Sequence, residues 1–75
     1  MIEFEQISPS VLKSQIGSYK IVYAMADWAY EQGIVLRWRA ASGKNGMQVF
    51  FYFRAEDEAT MFLLRWTGER LNNSN

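Results

Sequence analysis

The sequence predicts a small α+β domain in which an antiparallel sheet carries its helices on one face. Three observations lead there. Residues 47–54 (MQVFFYFR) place Met47, Val49, Phe51 and Phe53 on one side of a strand and Gln48, Phe50, Tyr52 and Arg54 on the other. Most of these side chains are apolar or aromatic, as in a central strand covered on at least one side. Residues 56–66 then switch to helical spacing, with Ala59, Phe62, Leu63 and Trp66 forming an apolar stripe. Finally, 34–40 alternates cleanly and leads into Ser42-Gly43-Lys44-Asn45-Gly46, whose glycines and asparagine suit a hairpin turn.

In chain order, Ile2 and Phe4 alternate with Glu3 and Glu5, which predicts a half-buried strand over Ile2 to Ile7. Ser8-Pro9-Ser10 matches a helix start, with Ser as N-cap and Pro in the first turn. From there to Gln32 the pattern is mostly helical. Leu12, Ile16, Tyr19, Tyr23, Ala26 and Tyr30 step by three and four, and Ile21, Met25 and Trp28 form an adjoining row. Gly17-Ser18 splits or kinks this stretch, and a strand over Tyr19–Ala24 is the alternative. Gly33 ends the helix. Ile34, Leu36, Trp38 and Ala40 then share one strand face, with Val35, Arg37 and Arg39 on the other. Glu56, Asp57 and Glu58 complement the dipole at the start of the last helix, and Gly68 stops it. The end of the chain, 71–75, reads as a frayed polar tail.

The expected architecture is β-α-β-β-α: a three-stranded antiparallel sheet with its third strand in the middle and both helices on one face. The helix-facing side comprises Ile2, Phe4, Ile34, Leu36, Trp38, Val49, Phe51 and Phe53. Trp28, Trp38 and Trp66 belong to the core. The opposite side holds Glu3, Glu5, Val35, Arg37, Arg39, Gln48, Phe50, Tyr52 and Arg54. Residues 1–75 form one domain without an internal repeat.

Composition excludes most chemistry. The chain has 75 residues, 49% of them hydrophobic, with no cysteine and no histidine. Disulfide frameworks, thiolate metal sites and His-dependent nucleophile pairs are therefore ruled out. Eight basic residues balance eight acidic ones, so no global field draws nucleic acid or anionic lipid. The IEFEQ start lacks a signal-peptide pattern, and no apolar run reaches membrane-spanning length; a cytoplasmic location is expected. Asp27 and Glu31 sit at i,i+4, too few ligands for a hard cation. Glu56-Asp57-Glu58 is surface, and Gly43-Lys44 lacks the spacing of a phosphate loop. Asn72-Asn73-Ser74 is a glycosylation sequon, without consequence in a protein that is not secreted. No catalytic residue, metal ligand or cofactor is predicted, and an enzyme is not expected.

Two family resemblances bear on function. QVFFYFRAEDEATMFLL (48–64) resembles the third strand and second helix of an RNA-recognition motif, with Phe50 on the base-stacking position and Phe53 on the final core aromatic. This sequence departs from that motif at Gln48, on the second stacking position, and at Gly46 and Met47, which replace its basic residue and glycine. Glu3 and Glu5 stand where it has an exposed aromatic. Residues 53–66 resemble the strand–helix end of short phage-encoded accessory proteins, F-R-x-E-D-x-A-x-x-F-x-L-R-W, through Phe53, Arg54, Glu56, Asp57, Ala59, Phe62, Arg65 and Trp66, with Leu63 one place early and Leu64 in the pattern's position. That likeness implies a protein that acts by binding a host or phage protein.

The expectation is thus a non-enzymatic protein-interaction module that binds a partner or itself through the open sheet face and an exposed strand edge, with homo-oligomerisation as one form. Phe50 and Tyr52 anchor the partner on the open sheet face, beside Val35, and Arg37, Arg39 and Arg54 set its orientation. Single-stranded nucleic-acid binding by stacking on the same aromatics is the alternative, and a structural subunit of a larger assembly the third.

Overall fold

A computed structural model of the chain describes residues 1–44 and 46–68. The polar tail and the 72–74 sequon lie outside the described residues, as does Asn45 of the hairpin turn. The fold is α+β with four strands and two helices: β1 (Phe4–Ser8), β2 (Val11–Ile16), α1 (Tyr19–Glu31), β3 (Leu36–Gly43), β4 (Gly46–Phe53) and α2 (Glu56–Trp66). The strands form one antiparallel sheet in the order β1-β2-β4-β3. Three strands were expected; the fourth is β2.

Residues 11–16 are a strand because Ser8-Pro9-Ser10 is a turn and not a helix cap. Ser8 pairs with Val11 across the two residues Pro9 and Ser10. Proline with a fixed φ serves the first helical position and the second position of a β-turn equally well. Within β2, Leu12, Ser14 and Ile16 point inward while Val11, Lys13 and Gln15 point outward. Ser14 breaks the apolar alternation, and Leu12 and Ile16 alone mimic a helical i,i+4 pair. Its burial is made tolerable by a hydrogen bond from Ser14 Oγ to the Glu3 carbonyl at 2.7 Å.

Gly17-Ser18 therefore separates a strand from a helix, and Tyr19–Ala24 is helical. Ser18 is the extended N-cap residue of α1. The helix closes in a Schellman arrangement: the Gly33 N–H donates to the Tyr30 carbonyl (3.0 Å), the Ile34 N–H to that of Ala29 (2.9 Å), and Gly33 has φ +76°. In α2, Glu56, Asp57 and Glu58 occupy the first turn as expected. Gly68 follows with φ +80°, and its N–H donates to the Ile2 carbonyl at 2.8 Å, fastening the chain start beneath the end of α2.

The core lies between the helices and one sheet face. Leu12, Val49, Phe51, Val22, Met25, Ala29 and Phe62 are fully buried there. Phe62 is its hub, with ring centroids 5.0 Å from Phe51, 5.1 Å from Phe53 and 5.9 Å from Phe4. The predicted helix-facing set falls on this side, and Trp66 is buried while Trp28 and Trp38 pack half-buried at its margin. The predicted α1 stripe does not: Val22, Met25 and Ala29 make the buried face, whereas Tyr19, Tyr23 and Tyr30 are exposed. Only the first part of that stripe, Leu12 and Ile16, is core, and it reaches the core from a strand.

The order of elements repeats: each half is a hairpin followed by a helix. The inner strands β2 and β4 pair at the centre of the sheet, and β1 and β3 become its two edges. This repeat exists in topology and not in sequence.

Candidate interaction surface

Both helices pack on one face of the sheet, and no described element covers the other. Its side chains are set by strand register. One row runs Glu5, Lys13, Phe50, Arg39 from β1 to β3, and the next runs Val11, Tyr52, Arg37. Cross-strand neighbours directly opposite one another stand close enough for side-chain contact. The central strand β4 thus presents two aromatics with cations on both sides.

Phe50 and Tyr52 stack along β4, their ring centroids 6.5 Å apart and their planes 20° from parallel. Tyr52 is 36% exposed and Phe50 half-buried. Lys13 Nζ lies 5.8 Å from the Phe50 centroid and 3.8 Å from Glu5 Oε1, so it bridges the acidic edge and the aromatic pair. Arg37 and Arg39 are exposed and form no ion pair among the described residues. A shallow hollow of about 220 Å³ opens between Arg39, Ala41, Phe50 and Tyr52.

The structure therefore brings together Phe50, Tyr52, Arg37 and Arg39, and adds Lys13. Val35 and Arg54 form the next row beyond Arg37 and Tyr52, at the end of the sheet, where the Arg54 N–H donates to the Val35 carbonyl at 3.4 Å. Arg54 lies past the end of β4 and its guanidinium donates to Glu58 Oε2 on the first turn of α2. Val35 precedes β3, and its N–H donates to Glu58 Oε1 at 3.4 Å. Glu58 thus ties the α1–β3 segment to the β4–α2 junction and holds Arg54 toward the helix.

Lys13 escaped sequence reasoning because Val11–Ile16 read as helix. The signal was present in Val11, Lys13 and Gln15, which alternate with Leu12, Ser14 and Ile16. Across the face the charge changes sign, from Glu3 and Glu5 near β1 to Arg37 and Arg39 on β3. Among the described residues no cluster of acids has the makings of a metal site, and no helix is long and apolar enough to cross a membrane. No family model, curated protein or solved structure matches this chain.

Proposed function

We propose that this protein is a non-enzymatic interaction module that binds a protein partner through the uncovered sheet face. The observation that supports it most is the Phe50–Tyr52 pair, covered by no described element and flanked by Lys13, Arg37 and Arg39. Aromatic and arginine side chains supply most interface hot spots, because they bury large rigid area and desolvate specific hydrogen bonds. The free guanidiniums orient an acidic partner surface. The likeness of residues 53–66 to phage accessory proteins gives this reading its form: a small regulator or inhibitor of a host or phage protein, acting in the host cytoplasm.

A second reading, single-stranded nucleic-acid binding, is favoured by the near-parallel stacking of Phe50 and Tyr52 beside three cations. Zero net charge and the acids at Glu3 and Glu5 weigh against it.

One experiment separates the readings. The tagged chain and its Phe50→Ala/Tyr52→Ala variant are used for affinity capture from lysate, with and without nuclease. A discrete protein that survives nuclease and is lost with the variant supports the first reading. A bound set that collapses with nuclease and high salt replaces it with the second. Capture unchanged by the double substitution, in a variant that is folded by circular dichroism, refutes both.

A further inference from the structure

A second surface lies at the edge of the sheet, distinct from Phe50 and Tyr52. Strand β3 is an outer strand whose far side pairs with no described residue. It runs in unbroken register with β4 from Leu36 to Gly43 and contains neither proline nor bulge. The other edge is different. Strand β1 is five residues long and its register with β2 shifts between Gln6 and Ser8. Short length and a bulge are devices that blunt an edge against pairing. Strand β3 has neither.

Beneath the free backbone of β3 lies a cleft of about 390 Å³, formed with α1 and lined by Ala26, Asp27, Tyr30, Ile34, Leu36 and Trp38. The α1 flank beside it carries Tyr19, Tyr23 and Tyr30, exposed by 49%, 56% and 84%. Tyr19 and Tyr23 continue the wall by packing on Trp38, with centroids 6.1 and 5.6 Å away. Above the same strand, on the open face, stand Arg37 and Arg39. The edge therefore offers three things in parallel: unpaired backbone groups, an apolar cleft below and cations above.

We infer that β3 receives an extended segment of a partner protein by strand addition, and that this segment alternates acidic with apolar side chains. Main-chain hydrogen bonds to an edge strand supply affinity, and the side chains at alternate positions supply specificity. Here the downward set enters the cleft beneath Trp38 and the upward set meets Arg37 and Arg39.

Charge and packing argue against this chain as its own ligand. Antiparallel β3–β3 pairing with aligned faces puts the Arg37 and Arg39 rows of both copies on one face of the seam, and in the register centred on Trp38 sets them directly opposite one another, where like charges are destabilising. The β1 edge of a second copy has the acids, but Ile7 is its one exposed apolar side chain and sits at the register shift, while Ile2 is buried and Phe4 packs on Phe51 and Phe62, so it offers no alternating apolar row. Residues 69–75 hold one acid and one aliphatic side chain, which is not an alternation.

The test uses the full chain and a fluorescein-labelled peptide of alternating glutamate and valine, with 8 residues like the edge strand it would cover. The same peptide with lysine for glutamate is the control. Anisotropy is expected to show saturable binding of the glutamate peptide, with the lysine peptide at least about tenfold weaker. Arg37→Glu/Arg39→Glu inverts that preference, and Tyr30→Ala weakens both. N-methylation of the peptide at alternate residues abolishes binding in one phase and spares it in the other, which a side-chain-only contact does not do. Phe50→Ala/Tyr52→Ala leaves the affinity unchanged, so this inference stands or falls separately from the open-face reading. No binding at about 1 mM peptide, equal affinity for both charges, or amide shift changes centred on Phe50 and Tyr52 overturns it. So does a concentration-dependent dimer that Arg37→Glu/Arg39→Glu abolishes, since β3 is then covered by a second copy.

Discussion

The first hairpin turns through Pro9 and Ser10, is bulged beyond Gln6, and ends at an acidic edge; the second closes between Gly43 and Gly46, keeps its register throughout, and ends at an edge bearing Arg37 and Arg39. Both are followed by a helix on the same sheet face. One topology, used twice, thus carries opposite chemistry at its two ends. The half with the blunted edge contributes Phe4, Leu12 and Ile16 to the core and Lys13 to the open face. The half with the regular edge contributes Phe50, Tyr52, Arg37 and Arg39 to that face, while α1 of the first half supplies the tyrosines beside β3. Repetition of a ββα unit solves the burial problem, since each hairpin hides one face under helices, and leaves the edges to diverge.

Whether the halves unfold as one is the sharpest way to test that comparison. Phe62 belongs to the second half but touches Phe4 of the first. Phe62→Ala is expected to cost about 3–5 kcal/mol by lost burial and a residual cavity. Urea unfolding measures the loss. Amide exchange then shows where it falls, with protection expected to drop in β1 and β2 as well as in β4. Loss confined to β3, β4 and α2 would mean that the halves are separable units.

The two turns give a smaller contrast. Gly46 has φ +104°, a conformation that an L side chain adopts only under strain. Gly46→Ala is expected to destabilise by about 1–2 kcal/mol. No residue of the first turn has positive φ, so Pro9→Ala there costs less than about 1 kcal/mol, through the freedom it returns to the unfolded chain. Equal costs in thermal unfolding would show that the Pro9 turn is under comparable constraint.

Legibility follows the same division. The second half could be read almost residue by residue: the alternation of 34–40, the dense apolar face of 47–53 and the acidic start of α2 each favour one structure. Even the face assignment of Phe50 and Tyr52 followed from strand parity alone. The first half failed at two points where chemistry is ambiguous. Ser8-Pro9-Ser10 fits a helix start and a β-turn alike, and Ser14 occupies a core position whose polarity is met by the Glu3 carbonyl, a long-range partner that local pattern does not reveal. Once β2 was read as helix, Lys13 left the candidate surface. The tyrosines of α1 share helical spacing with Leu12 and Ile16, yet the helix buries Val22, Met25 and Ala29 instead. That the 34–40 strand lies at a sheet edge followed from the expected order with the third strand in the middle, but the cleft beside it did not, since it depends on which face α1 turns to the sheet.

The smallest expected effect concerns two ion pairs, one taken from each half. Glu5 and Lys13 face each other across the first hairpin at 3.8 Å, with side chains 68% and 30% exposed. Arg54 and Glu58 are paired at i,i+4, but the Glu58 side chain is only 14% exposed and also accepts from the Val35 N–H. A double-mutant cycle on Arg54→Ala and Glu58→Ala is expected to give a coupling of about 0.5 kcal/mol. The cycle on Glu5→Ala and Lys13→Ala is expected near zero, because a solvated pair at that distance gains little over its hydration. The functional consequence runs the other way. Arg54 is held by Glu58 at the end of the sheet, so Arg54→Ala is expected to leave partner capture intact, whereas Lys13→Ala, which removes the cation beside Phe50, weakens it measurably. A capture assay in which Arg54→Ala is the more damaging of the two would return Arg54 to the binding surface and make the Glu58 pair a contact that breaks on binding.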